Sequence, residues 1–159
     1  MRRTSFADWD CSVARATDIL GDWWTPLVVR SAMLGCRRFD DFVEMLGIPR
    51  NVLTERLNRL VEEGILAKVE YQERPVRYEY RLTDKGIGLY PVIVTLLEWG
   101  NEFLEWPDGE PPVHLVDRTT GERIEPVLVD ARTGEPLDPR RTKAVYIRDP
   151  KAARAAVAR

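Results

Sequence analysis

Apolar side chains in the first half of the sequence recur every three or four residues, the spacing that lines one face of an α-helix. This pattern predicts a first helix over residues 13–20. A second helix is predicted to begin with Thr25 as its N-cap and Pro26 in its first turn. A third is predicted over residues 39–46, ending at Gly47. The chain therefore begins with three short helices.

A fourth helix is predicted between Pro49 and Gly64, and its two faces differ in polarity. Proline suits the first turn of a helix, and glycine suits the position just after its end. One face is apolar and is expected to be buried; it carries Val52, Leu53, Leu57, Leu60 and Val61. The opposite face is polar and is expected to be exposed; it carries Asn51, Thr54, Glu55 and Asn58.

After Gly64 the apolar period changes to two, which is typical of a β-strand with one buried face. The alternating apolar residues are Val69, Tyr71, Tyr78, Tyr80 and Leu82, and the polar ones are Lys68, Glu70, Arg77, Glu79 and Arg81. The turn-like segment Glu73-Arg74-Pro75 lies between them and predicts a two-stranded hairpin. Thr83 then caps a long apolar helix, in which Pro91 is expected to introduce a bend.

This order of elements predicts an α+β fold, namely a mainly helical winged helix-turn-helix domain with a hairpin wing. In a helix-turn-helix pair the second helix enters the major groove of DNA, where its exposed side chains reach the base edges. The fourth helix, with its polar outer face, fits that position. The order of the elements therefore points to a DNA-binding protein.

The composition changes at Pro107, where Pro, Gly and charged residues become frequent. We therefore expect residues 1–106 to form the DNA-binding and dimerisation domain and residues 107–159 to form a small β-rich extension. Within the extension, Arg118-Thr119-Thr120-Gly121-Glu122 recurs thirteen residues later as Ala131-Arg132-Thr133-Gly134-Glu135. Apolar runs at residues 127–129 and 144–147 predict short strands beside these turns.

The charge balance gives no global argument for nucleic acid, because 24 Lys+Arg face 26 Asp+Glu and the net charge is -2. Two cysteines and one histidine are too few for a disulfide framework or a zinc cluster, so no metal or other cofactor is expected. They also make an enzyme an unattractive hypothesis. No apolar stretch approaches the roughly 20 residues of a membrane helix, and no signal peptide is evident. We therefore expect a cytoplasmic protein.

Several motifs resemble those of the HxlR-type winged-helix transcriptional regulators, a MarR-like family, and the resemblance extends from Cys11 to Gly100. They are Ala14-Arg15-Ala16, Gly21-Asp22-Trp23-Trp24-Thr25, Gly35-Cys36-Arg37-Arg38-Phe39, Val52-Leu53-Thr54-Glu55-Arg56-Leu57 and Tyr78-Glu79-Tyr80-Arg81-Leu82-Thr83. The resemblance implies a homodimer that binds a pseudo-palindromic operator and usually regulates a neighbouring gene. Pro49 departs from the family pattern, which often has Ser there.

The extension resembles a zinc ribbon found on longer relatives of that family. In such a ribbon, cysteines hold the metal. Here Thr120, Asp130 and Thr133 occupy the matching positions, and the extension contains no cysteine. Metal binding is therefore not expected.

The candidate DNA contacts are of three kinds. Side chains near or on the outer face of the fourth helix would face the bases; they are Arg50, Asn51, Thr54 and Glu55. Arg37 and Arg38, which precede the third helix, suit phosphate contacts. Arg74 and Arg77 flank the hairpin turn and suit the minor groove or its edge. The alternative is that these are ordinary solvated charges.

The last predicted helix is longer than a small domain needs for its own core, so we expect it to form a dimer interface. The candidate residues are Leu89, Val92, Ile93, Leu96, Leu97 and Phe103. The alternative is that they complete the core of one chain. Trp23, Trp24, Trp99 and Trp106 are favoured as core residues, although they could line a pocket for a small-molecule effector between subunits.

Cys11 is the candidate redox sensor, because it lies near the start of the first helix with Arg15 one turn away. The helix dipole and a nearby cation favour the thiolate. In the resembling family a cysteine at this position senses oxidants or electrophiles in some members and is structural in others.

Two further functions of the protein stay open: a winged-helix module that binds a protein instead of DNA, and an enzyme with Cys11 as nucleophile. The enzyme would lack a nearby base, since His114 lies in the extension.

Overall fold

The computed structural model describes residues 5–145. The helices are α1 (Ser12–Leu20), α2 (Thr25–Met33), α3 (Phe39–Leu46), α4 (Arg50–Glu62), α5 (Asp84–Ile87) and α6 (Tyr90–Phe103). The strands β1 (Leu66–Glu73) and β2 (Val76–Leu82) form one antiparallel sheet. The described residues group into two compact units, of which the first ends at Tyr90 and the second begins at Pro91. The predicted winged helix-turn-helix architecture is confirmed.

The core of the first unit contains the predicted apolar stripe of α4. Leu53 and Leu57 are completely buried and Leu60 is nearly so, whereas Val52 and Val61 at the edges of the stripe are only partly buried. Other elements supply the remaining buried residues, which include Val28, Val29, Phe42, Ile48, Ile65 and Leu66. Since α4 buries one face completely, its opposite face must point to solvent.

The start of α2 differs from the prediction by one residue and by the identity of the capping group. Thr25 is the first helical residue and is itself buried, so it is not the N-cap. The carboxylate of Asp22 accepts hydrogen bonds from the backbone N–H groups of Trp24 and Thr25, each at 2.9 Å, and from the Thr25 hydroxyl. Asp22 therefore satisfies donors that a helix leaves unpaired at its first turn.

The predicted hairpin is confirmed, and it pairs Leu66 with Leu82 at its base and Glu73 with Val76 at its tip. The predicted apolar face is not buried throughout, because Tyr71 and Tyr78 near the tip are exposed. The expectation that Glu79 points to solvent is wrong, because Glu79 is only 8% exposed. The outer edge of β2 is covered at this point, where Tyr80 N–H donates to Arg37 O at 2.7 Å. The buried Glu79 carboxylate accepts a hydrogen bond from Arg81 Nε at 2.6 Å.

The single long helix predicted after Thr83 is two helices, α5 and α6. Thr83 caps α5 as expected, since its hydroxyl accepts from Gly86 N–H at 3.1 Å. The chain leaves the helix at Gly88, before Pro91, and Pro91 lies in the first turn of α6. The backbone N–H groups in the first turn of a helix have no helical partner, so proline, which has no N–H, is tolerated there. Pro91 thus begins a helix and does not bend one.

The second unit contains α6 and an extension with turns instead of regular strands. The predicted hairpins are present as short paired segments: Val116 bridges Arg123 and Val129 bridges Pro136. Ile124 N–H donates to Leu115 O at 2.9 Å, and Leu137 N–H donates to Leu128 O at 2.8 Å. Ala144 and Val145 form no strand, and the rest of that predicted strand lies outside the described residues.

The sequence repeat of the extension forms two turns of the same kind. The Asp117 carboxylate accepts from the N–H groups of Thr119 and Thr120 at 2.7 and 2.9 Å, and Asp130 accepts from Arg132 N–H at 2.9 Å. The bonds from Thr120 and Thr119 hold the pKa of Asp117 below its ordinary value. Within residues 5–145 no group of three His, Cys, Asp or Glu side chains could hold a metal ion.

The tryptophans favoured as core residues are not all buried. Trp23 is 93% exposed and Trp99 is 55% exposed, so the core assignment is wrong for both. Trp24 and Trp106 are partly buried.

Among the described residues, no helix is long and apolar enough to cross a membrane.

Gly86 is required where α5 passes the start of the hairpin. A Cβ at this position would lie 2.3 Å from Ile65 O, which is a backbone atom that cannot swing aside. We expect Gly86→Ala to lower the free energy of unfolding by about 1–3 kcal/mol through overpacking, measured by thermal denaturation followed by circular dichroism. Gly100→Ala is the control, because its Cβ would meet only Leu104 Cδ1 at 3.8 Å. Equal stability of the two variants would contradict the packing at Gly86.

Candidate DNA-binding surface

A tight turn joins α3 to α4 and sets the direction of α4. Gly47 ends α3 with a φ of 61°, a left-handed conformation that favours glycine. Ile48 is buried, and Pro49 precedes α4 with a φ of -58°. Pro49 provides no side-chain cap. The direction of α4 therefore depends on a left-handed residue, a buried anchor and a fixed proline φ.

The outer face of α4 presents the predicted polar side chains to solvent. Asn51, Thr54, Glu55 and Asn58 are all exposed. The Thr54 hydroxyl donates to Arg50 O at 2.8 Å, so its proton is used within the helix while its oxygen can still accept. The Asn51 amide can both donate and accept hydrogen bonds, and the Glu55 carboxylate can accept them.

Arg50 lies beside the first turn of α3. Its Nη1 is 2.9 Å from Asp40 Oδ1, and its guanidinium carbon lies 4.7 Å from the centre of the Phe39 ring. Both side chains of the ion pair are largely exposed, so the pair is worth little and can be exchanged for another anion. Arg50 is thus positioned beside α3 by weak contacts, and its guanidinium remains available to bind another anion.

Arg37 and Arg38 connect the start of α3 to the wing. The Asp41 carboxylate accepts from their backbone N–H groups at 3.2 and 2.8 Å. The Arg38 guanidinium lies over the Tyr71 ring of β1 at 4.7 Å. Both side chains are exposed. Because Arg50 contacts Phe39 and Asp40, the fold brings Arg50 next to these two arginines.

The wing exposes Arg74 at its turn and Arg77 on β2, where Arg77 faces Gln72 across the hairpin. Lys68 also belongs to this basic surface, with its Nζ 4.3 Å from the centre of the Tyr78 ring. Lys68 was not among the predicted DNA contacts. The available signal was its position opposite Tyr80 in the hairpin, diagonally across from Tyr78.

Two further arginines of α4 were missed, and neither is on the outer face. Arg56 Nε lies 3.1 Å from Asp22 Oδ1, although its N–H is not aimed well enough to be a hydrogen bond. Arg59 Nη2 donates to Asp18 O at 2.7 Å and lies 3.5 Å from Asp18 Oδ2. The available signal for this pairing was the spacing of the charges. Asp18 in α1 and Asp22 after it are four residues apart, and the two arginines on α4 are three residues apart.

The two cysteines differ in environment. Cys11 is the N-cap of α1 and is partly exposed, which confirms its predicted place at the start of the helix. Cys36 is buried, with its Sγ 3.6 Å from Met45 Sδ. Burial, aided by the Asp41 charge, raises the pKa of the Cys36 thiol. Cys36 also lines a half-open cavity of about 340 Å³ with Ala32, Arg37, Tyr80, Arg81, Leu82 and Ile87.

The predicted dimer residues are distributed between exposed and half-buried positions. Val92, Leu96 and Phe103 on α6 are exposed, at 48%, 54% and 62%. Ile93 and Leu97 on α6 are half-buried, as is Leu89, which precedes the helix. Such a row of exposed apolar side chains on one helix is typical of an interaction surface.

Comparison with known proteins gives consistent matches. A family model described as HxlR-like helix-turn-helix matches residues 19–108. Rv3095 of Mycobacterium tuberculosis, named as an uncharacterized HTH-type transcriptional regulator, is 44% identical over 129 residues, which are 81% of each chain.

Two solved structures are also similar. PA1607, described as a candidate transcription factor, is 40% identical with a TM-score of 0.81, covering 89% of this chain and 99% of the other. The part of this chain left uncovered is shorter than residues 107–159, so the match extends into the extension. The redox regulator HypR in its reduced form is 30% identical with a TM-score of 0.54, covering 57% of this chain and 90% of the other.

The environments of the two thiols predict different reactivity. We expect iodoacetamide at neutral pH to label Cys11 several times faster than Cys36, because Cys36 is buried and its pKa is raised. A time course by peptide mass spectrometry measures both rates. Cys36→Ser should keep the fast reaction and Cys11→Ser the slow one, and raising the pH should accelerate the slow one. Faster labelling of Cys36 would contradict its burial.

Proposed function

The chain belongs to the HxlR-like helix-turn-helix family of DNA-binding transcriptional regulators, and we propose that it represses a neighbouring gene by binding a pseudo-palindromic operator as a homodimer. The observation that carries the proposal is the exposed polar face of α4, bordered by Arg37, Arg38 and Arg50. Two copies related by a two-fold axis would place their α4 helices in successive major grooves about 34 Å apart.

Each candidate side chain has a role that its chemistry supports. Asn51 can form a paired donor and acceptor contact with adenine, and Glu55 can accept from cytosine. Arg50 suits guanine or a phosphate once it releases Asp40. Thr54 can accept through its hydroxyl oxygen. We propose no enzymatic role for these residues.

The remaining arginines set the position of the protein on DNA. Arg37 and Arg38 lie where the start of α3 would meet the phosphate backbone, and phosphate contacts fix register without reading sequence. Arg74 and Arg77 on the wing suit the minor groove or its edge. The adjacent Asp40 and Asp41 reduce the local positive charge, so we expect modest affinity for non-specific DNA.

A response to thiol oxidants or to a small molecule is the regulatory part of the proposal. Cys11 is the candidate thiol, since it is partly exposed at the N-cap of α1. The similarity to HypR, whose name describes it as a redox regulator, supports this choice. Residues 5–22, which include Cys11, are tied to α4 through Asp18 and Asp22. A change at Cys11 therefore has a physical route to α4.

An electrophoretic mobility shift assay with the DNA upstream of the protein's own gene tests the function. We expect the wild type to prefer this DNA over random DNA of equal length. Arg50→Ala and Arg74→Ala should each weaken binding by about tenfold or more, since a good base contact is worth about 1–3 kcal/mol. Each should also reduce the slope of log K against log salt by about two per dimer if phosphates are lost.

Arg118→Ala in the extension is the control, because it removes an exposed arginine that is not among the proposed contacts. It should leave the affinity and the salt slope unchanged. A wild type that binds the upstream DNA no better than random DNA at any salt concentration would contradict the proposed function. It would favour a protein-binding module instead.

The dimer is tested through α6. We expect Leu96→Glu to convert the dimer to a monomer, because it would place a charge within the exposed apolar row of α6. Light scattering after size-exclusion chromatography measures the mass. Leu34→Glu, at an apolar position of 65% exposure beside α2, should leave the dimer intact. Dimers of undiminished stability with Leu96→Glu would remove α6 from the interface.

A further inference from the structure

Two ion pairs connect α4 to the end of α1 and to the loop that follows it. Arg56 pairs with Asp22, and Arg59 pairs with Asp18. The four side chains are only 13–27% exposed, in contrast to the Arg50 pair, which lies in solvent. Pairs with this much burial are screened less by water and salt than surface pairs.

The acidic partners are themselves held in place. Asp22 accepts three hydrogen bonds from Trp24 and Thr25 at the start of α2. Asp18 accepts from Phe6 N–H at 3.1 Å and from the Ser5 hydroxyl at 3.3 Å. Because these carboxylates are fixed by backbone groups, they provide rigid attachment points and not mobile counter-ions.

The two arginines lie on one flank of α4, between its buried and exposed faces. With 100° per residue, Arg56 lies about 40° from Leu60 and Arg59 lies about 40° from Glu55, so the two arginines together span the flank that is turned away from Thr54. The buried leucines fix which face of α4 points inward. The ion pairs on the flank resist rotation of the helix about its axis.

A small rotation of α4 matters for base recognition. A turn of about 10° about the helix axis displaces an atom about 6 Å from the axis by about 1 Å. That displacement exceeds the range of about 0.5 Å over which N–H···O hydrogen-bond distances vary. Side chains such as Asn51 and Glu55 would then miss the base edges, while contacts to phosphates would tolerate the change better.

We propose that Arg56 and Arg59 are positioning residues for operator recognition: through Asp22 and Asp18 they fix the rotation of α4 and do not themselves contact DNA. This inference rests on the proposed function. It runs against the usual expectation that an arginine on a recognition helix binds DNA. It also makes Asp18 and Asp22, two acids in a DNA-binding protein, favourable for sequence-specific binding.

The test is a pair of double-mutant cycles that remove charge and keep shape. The first uses Asp22→Asn and Arg56→Gln, and the second uses Asp18→Asn and Arg59→Gln. Asparagine can still accept the N–H bonds at the start of α2, so the cap is retained. Affinities for the upstream DNA and for random DNA are measured over a range of salt, together with the thermal midpoint of each variant.

We expect each single variant to lower the ratio of operator affinity to random-DNA affinity by about three- to tenfold, and each double variant to lower it no further. The salt slope should stay that of the wild type, because no phosphate contact is lost. Arg37→Ala provides the comparison, since losing a proposed phosphate contact lowers the slope. Arg56→Lys, which keeps the charge, should recover part of the ratio.

Three results would overturn the inference while leaving the proposed function intact. In the first, Arg56→Gln lowers the salt slope and Asp22→Asn leaves or improves operator affinity, which would make Arg56 a DNA contact. In the second, thermal stability falls while the affinity ratio is unchanged, which would make the pairs merely structural. In the third, neither property changes. A wild type without operator preference would overturn the proposed function and this inference together.

Discussion

Burial of the leucine stripe of α4 is the constraint on which the rest of the molecule depends. Leu53, Leu57 and Leu60 together exclude almost all solvent from one face of the helix. A fully buried leucine is worth about 2 kcal/mol, so turning this face outward would cost on the order of 6 kcal/mol. The polar face of α4 is therefore exposed because the apolar face cannot be. The surface that can meet DNA is a by-product of core formation.

The sequence predicted most of the fold because its strongest signals are local. The 3.6-residue period placed α3 and α4, and the period of two placed the hairpin around Arg74 and Pro75. The N-cap of α2 was predicted wrongly, because the group that accepts the N–H bonds of its first turn is the carboxylate of Asp22, three residues before Thr25. The break between α5 and α6 was missed because an apolar period continues across Gly88 while the helix does not.

The candidate site was predictable as a face but not as a network. Exposed residues of α4 follow from periodicity alone. The burial of Glu79, by contrast, depends on residues 37 and 38 pairing with β2, which is a contact between distant parts of the chain. The same is true of Arg56 and Arg59, whose partners lie 34 and 41 positions away. The net charge of -2 gives no sign of these pairs, because it counts 24 Lys+Arg against 26 Asp+Glu without regard to where they lie.

The backbone bond from Tyr80 to Arg37 joins the root of the wing to the start of α3. Two parts of the surface that would touch DNA at separate places are thereby built into one rigid piece. The distance between the start of α3 and the root of the wing is therefore set by the fold and not by the length of the hairpin. Changes at the tip beyond Glu73 would alter only how far the wing extends, whereas changes at the root would alter the spacing between these two surfaces.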